Sequence, residues 1–270
     1  MRLIRSFRHM CLFCISLLIL AGCDALPTIT INLGGQTPTP TINTWTKVAP
    51  GVDVRTEVWK SPSSPGASDT VSIVRFDLHY VKVSVAYQPN QPLSMQDWMQ
   101  KEQALAIING GYFDGQDNAT ALVISNGQAF GASYQGFGGM LDVDAQGNVQ
   151  LRSLRDQPYD PSEDLTQATQ STPMLLINGQ RTQFNDNDQA SPRSVVATDK
   201  QGRLLFIASP GVVFTLDDLA ALLQNSDLGL VNALNLDGGS STGLYVNAGS
   251  QSITIDSYVN LPLVIVVKAK

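Results

Sequence analysis

The residues best suited to chemistry lie in the stretch LNLDGGSST, from Leu234 to Thr242. An apolar run leads into Asp237, and two glycines and three hydroxyl side chains follow it. An ordinary turn needs about one glycine and tolerates many neighbours. We therefore expect a ligand to approach the main chain closely here. The residues expected to bind it through N–H groups and hydroxyls are Gly238, Gly239, Ser240, Ser241 and Thr242.

A second stretch, AIINGGYFD, has a similar layout. A buried strand is predicted to run into Asn109-Gly110-Gly111, and Asp114 follows shortly afterwards. Two carboxylates that converge on one cleft can cleave a glycosidic bond, either as acid and base or as nucleophile and acid/base. Asp114 and Asp237 are the candidate pair.

A third candidate is Arg193, which opens a predicted strand in SPRSVVATD. A guanidinium group at this place can bind phosphate in a bidentate manner. Each of these signals also has a purely structural reading. Asn-Gly-Gly and Asp-Gly-Gly occur in ordinary turns, and a single arginine is often a surface charge.

Several enzyme classes are excluded by residue content. Beyond the N-terminal segment the chain has one histidine, His79, so a Ser–His–Asp triad or a His-rich zinc site is not expected. The string GGSST is not a GxSxG nucleophile elbow, and the chain has neither a Walker loop nor GxGxxG. The chemistry that remains is that of carboxylates, amides, arginine and main-chain N–H groups.

No cofactor is required by this reading, and a divalent cation is a secondary expectation. Two loops are rich in oxygen ligands: Asp114, Asp117 and Asn118 in one, and residues 185–188 (Asn-Asp-Asn-Asp) in the other. Calcium accepts such ligands, but neither loop has the spacing of an EF-hand.

The first 22 residues have the layout of a secretory signal, with a basic start and an apolar run from Met10 to Ala21. Their last three residues and Cys23 read Leu-Ala-Gly-Cys, which resembles the lipobox of bacterial lipoproteins. That resemblance implies a lipid on Cys23 and an extracytoplasmic protein anchored to a bacterial membrane. The alternatives are an uncleaved anchor, or a plain signal peptide followed by a chance cysteine.

Removal of this segment would leave Cys23 as the only cysteine and 14 basic against 23 acidic residues, a net charge of −9. An internal disulfide, a thiolate nucleophile and a cysteine metal site are then excluded. An acidic body of this kind is not expected to bind nucleic acid or anionic lipid through long-range attraction.

The chain divides into a signal (1–22), a Thr/Pro-rich tether (23–44) and one globular domain (45–270). A short edge strand at Ile29–Asn32 is the alternative reading of the tether.

Alternating residues predict strands over Val48–Trp59 and Val71–Tyr87, the latter as a hairpin, and Ser94 and Thr215 are predicted to cap helices. Further strands are predicted at Ala121–Ile124, Gly139–Val143, Val149–Arg152, Met174–Ile177, Ser194–Thr198, Leu204–Ala208, Gly229–Asn235 and the closing LPLVIVVKA, with tight turns at Asn126-Gly127, Asn178-Gly179 and Gln201-Gly202. The predicted fold class is α+β: strand-rich mixed sheets with a few helices.

In their order along the chain, the blocks AIINGGYFD, LLINGQ, SPRSVVATDKQGRLLFI and ALNLDGGSST resemble the phosphodiester glycosidase family, and the similarity extends from Val71 to Val267. The family implies a hydrolase that cuts the bond between a sugar C1 and a phosphodiester oxygen. The residues implied to be catalytic are Asp237, Asp114 and Arg193, and those implied to bind substrate are Asn109, Gly110, Gly111 and Gly238 to Thr242. One departure is that the family commonly has three glycines after the aspartate and a methionine after the threonine, whereas here there are two glycines and Gly243.

We therefore expect a surface-tethered hydrolase acting on sugar-1-phosphodiesters of cell-envelope or extracellular glycans. Its partners would be a carbohydrate or sugar-phosphate substrate and the membrane. The alternatives are a non-catalytic lipoprotein that binds glycan or cell wall, and an unrelated envelope assembly factor. The paired carboxylates favour the enzyme, because a pure binding protein has no need of them.

Overall fold

The computed structural model describes residues 43–184, 189–248 and 251–270, which contain eighteen strands and two α-helices. The strands are β1 (Thr46–Ala49), β2 (Val52–Lys60), β3 (Ser68–Phe76), β4 (Val81–Tyr87), β5 (Ala106–Asn109), β6 (Val123–Ser125), β7 (Gln128–Phe130), β8 (Gly139–Asp144), β9 (Val149–Ser153), β10 (Leu165–Ser171), β11 (Met174–Ile177), β12 (Gln180–Arg181), β13 (Ser191–Asp199), β14 (Leu204–Phe214), β15 (Leu230–Asn235), β16 (Leu244–Ala248), β17 (Gln251–Ile255) and β18 (Leu263–Ala269). The helices are α1 (Met95–Glu102) and α2 (Leu216–Asn225), and a 3₁₀ helix spans Gly239–Ser241. Cys23, the predicted signal and nearly all of the predicted tether lie outside the described residues.

The strands form three sheets, and the pairings between described strands are antiparallel. Sheet I has the order β1-β2-β3-β14-β13-β15-β11-β12, sheet II the order β7-β6-β10-β8-β9, and sheet III the order β17-β16-β5-β18-β4. With two α-helices beside them in the described ranges, this arrangement confirms the predicted strand-rich α+β class.

The main hydrophobic core is shared by all three sheets. Phe206 of sheet I, Leu141 of sheet II and Ile108 of sheet III belong to one buried cluster. The helices cover other faces: α2 packs Leu219 on sheet I, and α1 packs Trp98 on sheet III. Because β5 and β15 are interior strands of their sheets, the loops that follow them start from fixed positions.

Both predicted helix caps are confirmed. The Ser94 hydroxyl accepts a hydrogen bond from the Asp97 N–H, and the Thr215 hydroxyl accepts one from the Asp218 N–H. These side chains satisfy N–H groups that have no partner within the helix, so each helix begins at a defined residue.

The turns are partly as predicted. Asn126-Gly127 and Asn178-Gly179 connect paired strands with positive φ at both residues, the conformation that Asn-Gly favours. The predicted hairpin of β3 with β4 is wrong: β3 pairs with β2 and β14, whereas β4 pairs with β18. The intervening turn carries the chain from sheet I to sheet III, and alternation alone does not reveal which partner a strand takes.

Across the described residues, no helix has both the length and the hydrophobicity needed to cross a membrane.

Candidate active site

Two loops from different sheets meet at the candidate site. Asn109 is the last residue of β5, and Asp237 follows the end of β15 by two residues. The Asp237 N–H donates to the Gly110 carbonyl at 3.1 Å. The Asn109 side-chain amide donates to the Asp237 carbonyl at 2.7 Å and accepts from the Gly243 N–H at 3.2 Å. The two predicted glycine turns are therefore joined through their main chains.

Packing accounts for the glycines of the first turn. A Cβ on Gly110 would lie 2.5 Å from Cγ of Leu263, and a Cβ on Gly111 would lie 2.1 Å from the Gln170 carbonyl oxygen. Both distances are far inside van der Waals contact, so any side chain would push β18 or β10 away. Neither residue is among those that line the cavity described below.

Different constraints require the two glycines of the second turn. A Cβ on Gly238 would lie 2.8 Å from the Pro192 carbonyl oxygen, whereas Gly239 has φ +58 and a Cβ there would make an ordinary contact, 3.6 Å from Ser191 Oγ. Gly238 is required by close approach and Gly239 by backbone conformation. The Gly238 N–H donates to Asp237 Oδ1 at 2.9 Å. Among the described residues, the N–H groups of Gly239 and Ser240 have no acceptor, so these two, rather than Gly238 and Gly239, are available to an anion.

Asp237 is a half-buried carboxylate held in place by its own loop. Its oxygens accept hydrogen bonds from the Gly238 N–H and the Ser241 hydroxyl. Burial raises the pKa of Asp237 above its usual range, and these two hydrogen bonds oppose that rise. A positioned carboxylate with a raised pKa is well suited to proton transfer.

A cavity of about 680 Å3 opens beside Asp237. It brings together five of the predicted site residues: Asp114, Asp237, Gly238, Ser240 and Ser241. Asp117, Phe113 and Asn260 also line it, and no lysine or arginine does so among the described residues. The cavity is therefore acidic, with main-chain N–H donors at one side.

One carboxylate oxygen of Asp114 accepts hydrogen bonds from N–H groups of its own loop. Oδ1 accepts from the Gln116 N–H at 2.8 Å and from the Asn118 N–H at 2.9 Å. These two N–H groups lower the pKa of Asp114, the Asn118 bond contributing most. A side chain that closes a turn in this way is a common structural use of aspartate.

The same loop occurs at two other places in the chain. Asp144 accepts from the N–H groups two and four residues later, and so does Asp199. In those loops the residue three positions on is Gly147 or Gly202, with φ +85 or +73. The corresponding residue of the Asp114 loop is Asp117, with φ +64.

Asp117 is therefore a carboxylate where its two counterparts are glycine, and it is the one of the three that lines the cavity. A left-handed conformation costs a non-glycine residue on the order of 1 kcal/mol. In the described part of the chain, its side chain has no hydrogen-bond partner. Asp117 is a site residue that the sequence analysis considered only as a calcium ligand.

Arg193 is not among the residues that line the cavity. It is 8% exposed, and it donates to the carbonyls of Phe214 at 3.2 Å and Gln189 at 2.8 Å. Its positive charge nevertheless affects the pKa of Tyr112, which lies in the loop between Gly111 and Asp114. Burial and the negative charge of Asp237 raise the pKa of Tyr112 to about 12, while the positive charge of Arg193 opposes the rise.

Tyr112 and Asn235 form a hydrogen-bonded pair that the sequence analysis did not single out. The Asn235 side-chain amide donates to the Tyr112 hydroxyl at 2.9 Å, and that hydroxyl donates to the Thr172 carbonyl at 3.1 Å. Both residues belong to the quoted motifs, NGGYFD and LNLDGG, so the sequence could have indicated them as candidate site residues. They connect the two loops beneath Asp237.

Thr242 and Gly243 lie below the cavity surface. Thr242 is buried, and its N–H donates to the Gly239 carbonyl at 3.3 Å. A Cβ on Gly243 would lie 2.9 Å from Cγ and Sδ of Met95 in α1. The space into which a side chain at position 243 would point is thus filled by Met95, which explains how glycine can stand where the family commonly has methionine.

The remaining predicted ligands give no cluster of metal-binding groups. Residues 185–188, one predicted calcium loop, lie outside the described residues. In the described ranges, no three His, Cys, Asp or Glu side chains converge on a common point. His79 is exposed in the turn after β3, where it contacts Asp77.

Known structures with the same fold include a zebrafish enzyme. The catalytic domain of zebrafish N-acetylglucosamine-1-phosphodiester alpha-N-acetylglucosaminidase, auto-inhibited by its pro-peptide, matches with TM-score 0.66 at 21% identity over 81% of this chain and 83% of that one. A hypothetical protein from Synechocystis matches with TM-score 0.60 at 15% identity over 86% of this chain and 64% of that one. At these identities the likeness establishes the fold.

Comparison of sequences establishes the family. None of the curated protein sequences matches the chain significantly. The sequence model described as phosphodiester glycosidase matches residues 102–266, which is more than half of the chain and includes both glycine turns. This chain belongs to the phosphodiester glycosidase family.

Proposed function

We propose that this protein hydrolyses the glycosidic bond of a sugar-1-phosphodiester, releasing the free sugar and a phosphate monoester. The observation that carries the proposal is the place of Asp237. Its carboxylate has a raised pKa, follows a buried strand, and faces a cavity of about 680 Å3 in a chain of the phosphodiester glycosidase family. Rigid support and a perturbed pKa are the two properties expected of a catalytic carboxylate.

In the proposed reaction, Asp237 acts as general base. It takes a proton from a water molecule whose oxygen attacks C1 of the sugar. The C1–O bond breaks, and its electron pair stays on the phosphate oxygen. A phosphate monoester is a good leaving group, so its departure needs charge stabilisation more than protonation. The N–H groups of Gly239 and Ser240, which have no acceptor within the described ranges, supply donors for that charge.

We assign the second carboxylate role to Asp117 and a positioning role to Asp114. The positive charge that develops at C1 in an oxocarbenium-like transition state is stabilised by a nearby carboxylate. Asp117 lines the cavity with no hydrogen-bond partner in the described chain, whereas Asp114 closes its loop. Arg193 contributes as a buried positive charge behind Tyr112, and it holds the segment that contacts Gly238.

A non-catalytic glycan-binding role is the second candidate. It is favoured by the lack of lysine and arginine among the described residues that line the cavity, because a phosphate group would ordinarily be met by such a charge. The first candidate hydrolyses a sugar-1-phosphodiester, whereas the second binds glycan without turnover.

The test is hydrolysis of a panel of UDP-sugars and sugar-1-phosphodiesters by the purified, detergent-solubilised protein in water enriched in ¹⁸O. We expect free sugar with ¹⁸O at C1 and an unlabelled phosphate monoester. Label in the phosphate would indicate a phosphodiesterase instead. Absence of turnover across the panel, together with measurable binding of glycan, would support the second candidate.

We further propose that Cys23 carries a lipid and holds the domain at a bacterial membrane through the Thr/Pro-rich segment 24–44. The basis is the sequence Leu-Ala-Gly-Cys after an apolar run. Loss of the acyl chains removes the membrane affinity that they provide. Cys23→Ala protein should therefore leave the membrane fraction, and its retention there would contradict lipidation.

A further inference from the structure

A second cavity, of about 710 Å3, lies between α1 and the strands β16 and β17. Its described lining contains no charged side chain, in contrast to the acidic cavity at Asp237. The polar groups are mainly side-chain amides, from Gln96, Gln100, Gln103 and Asn247. An amide carries both a donor and an acceptor, so this lining can match hydroxyl groups of either orientation.

Two of the amides share one face of α1, and a third follows its end. Gln96 and Gln100 are four residues apart, which places their side chains on the same side of the helix. Gln103 is the left-handed residue that follows the last residue of α1, and it lines the same cavity. In the described part of the chain, these amides have no hydrogen-bond partner.

The charged residues of α1 point elsewhere and have partners of their own. Asp97 binds the Ser94 hydroxyl at the helix start, and Glu102 binds Lys268 at 2.8 Å. Lys101 lies over the Trp98 ring at 4.9 Å. Charged groups are thus excluded from the face that lines the cavity, although an ordinary solvated face would carry them.

Tyr245 supplies a fixed aromatic surface in the same cavity. Its ring packs against the cluster that contains Met95 and Trp98, and its hydroxyl donates to Asp256. Burial and this hydrogen bond raise the pKa of Tyr245 to about 12, so the hydroxyl remains protonated at neutral pH. A ring that is immobile on one side and open on the other offers apolar area at low entropic cost.

Three chain segments pass directly from the first cavity to the second. One leads from Pro92 to Gln96, another from Ser241 to Tyr245, and a third from Val259 back to Thr254. Even fully extended, the four residues from Ser241 to Tyr245 span at most about 14 Å. The main chains of Ser241 and Tyr245, one in the lining of each cavity, therefore lie within that distance of each other.

We propose that this second cavity is a distal subsite for an uncharged glycan chain that is covalently continuous with the sugar held beside Asp237. The substrate would then be a phosphodiester-linked oligosaccharide or polysaccharide rather than a small sugar phosphodiester. This inference rests on the proposed function. Its distinguishing feature is that recognition of the neutral chain occurs away from the reacting bond.

The test compares a short and a long substrate. The short one is a UDP-sugar, and the long one has the same sugar-1-phosphate linkage with several further neutral sugars. The variant is Gln100→Ala with Asn247→Ala, two exposed side chains whose truncation leaves the core intact. The matched control is Gln146→Ala, an exposed amide in the β8–β9 loop.

Loss of two hydrogen bonds of about 1 kcal/mol each should raise KM for the long substrate roughly 10-fold or more. kcat/KM for the short substrate should stay unchanged in the variant, and the control should match the wild type on both. An equal effect on the two substrates, or no effect on either, would overturn the subsite.

If the wild type hydrolyses neither substrate, the proposed reaction fails, and binding decides the subsite separately. Chito-, cello- and malto-oligosaccharides would then be titrated into wild type and variant by calorimetry. Binding that the double variant loses would support the subsite, and absence of binding to all three series would overturn it.

Discussion

The side-chain amide of Asn109 donates a 2.7 Å hydrogen bond to the main-chain carbonyl of Asp237, 128 residues later in the chain. The side-chain oxygen of Asn109 accepts a hydrogen bond from the Gly243 N–H. One side chain thus binds both ends of the loop that contains Asp237 and the 3₁₀ helix. Asn109 is 1% exposed and lies under the cavity surface. We interpret it as a positioning residue that fixes Asp237 through its main chain.

Truncation of Asn109 should therefore affect catalysis more than a comparable change elsewhere. Asn109→Ala leaves a buried carbonyl and a buried N–H without partners, and we expect a loss of about 1–3 kcal/mol in the free energy of unfolding. It should also lower kcat by about 10-fold or more, because misplacement of a catalytic group is costly.

The matched control is Asn232→Ala. Asn232 also bridges two main-chain groups, the Leu151 carbonyl at 2.8 Å and the Asn178 N–H at 3.0 Å, at the far end of β15. This variant should lose stability and retain kcat per folded molecule. Equal kcat in both variants, measured with active protein counted by folded fraction, would show that Asn109 is only structural.

Asp117→Gly should separate stability from activity. Glycine removes the cost of a left-handed side chain at φ +64, so the free energy of unfolding should stay constant or rise by up to about 1 kcal/mol. Loss of the carboxylate to which we assign stabilisation of the transition state should lower kcat/KM by about 10-fold or more. Thermal melting and initial rates on one preparation give both values.

The reciprocal change, Gly147→Asp, serves as its control. Gly147 has the corresponding place in the Asp144 loop, at φ +85 with open space around it, so the variant should lose stability and keep activity. Full activity in Asp117→Gly protein would remove Asp117 from the reaction.

Gly243 and Met95 should show strong coupling. Gly243→Met overpacks the site and should cost about 1–3 kcal/mol, and Met95→Ala leaves a cavity that costs about 2–5 kcal/mol. The double variant moves the thioether from α1 to the loop, and it should be more stable than the sum of the two losses by about 1 kcal/mol or more. Additive losses in urea unfolding would mean that the two side-chain positions do not share one space.

The pH dependence of kcat/KM should reflect the ionisation of the Asp237 carboxyl group. As a base it must be ionised, so activity falls as the pH drops through its pKa, which burial places above the usual range of aspartate. The Ser241 hydroxyl stabilises the ionised form, and Ser241→Ala should therefore move this acidic limb to higher pH. Ser240→Ala, which removes an exposed hydroxyl from the same cavity, should leave the limb in place. A limb that does not move in Ser241→Ala protein would argue against Asp237 as the titrating group.

The sequence predicted the site loops well because their constraints are local. Gly239 needs a positive φ, and Asn126-Gly127 needs two, so the residue types alone indicate these turns. The helix caps Ser94 and Thr215 are local for the same reason. The family blocks also singled out Asp237 and Asn109, which the structure joins by a hydrogen bond.

Features set by distant contacts were not predictable. β10 reads as a polar segment, LTQATQS, yet Thr169 and Ser171 are fully buried in the middle of sheet II. Its Gln167 accepts from the Val85 N–H of another sheet, a partner that no local pattern indicates. The equivalence of Asp114 to Asp144 and Asp199 is local, by contrast, and the similar strings DGQDN, DAQGN and DKQGR indicate it, although the sequence analysis did not use that signal.

The most direct test of the account is Asp237→Asn, with turnover and melting temperature measured on the same preparation. Asparagine keeps the shape and can still accept from the Gly238 N–H, but it cannot act as a base. We expect a loss of about 10²-fold or more in kcat. The melting temperature at neutral pH should be unchanged or slightly higher, because a raised pKa means that ionisation of Asp237 destabilises the folded state as the pH rises through it. A lower melting temperature with unchanged activity per folded molecule would contradict the account and make Asp237 a structural turn residue.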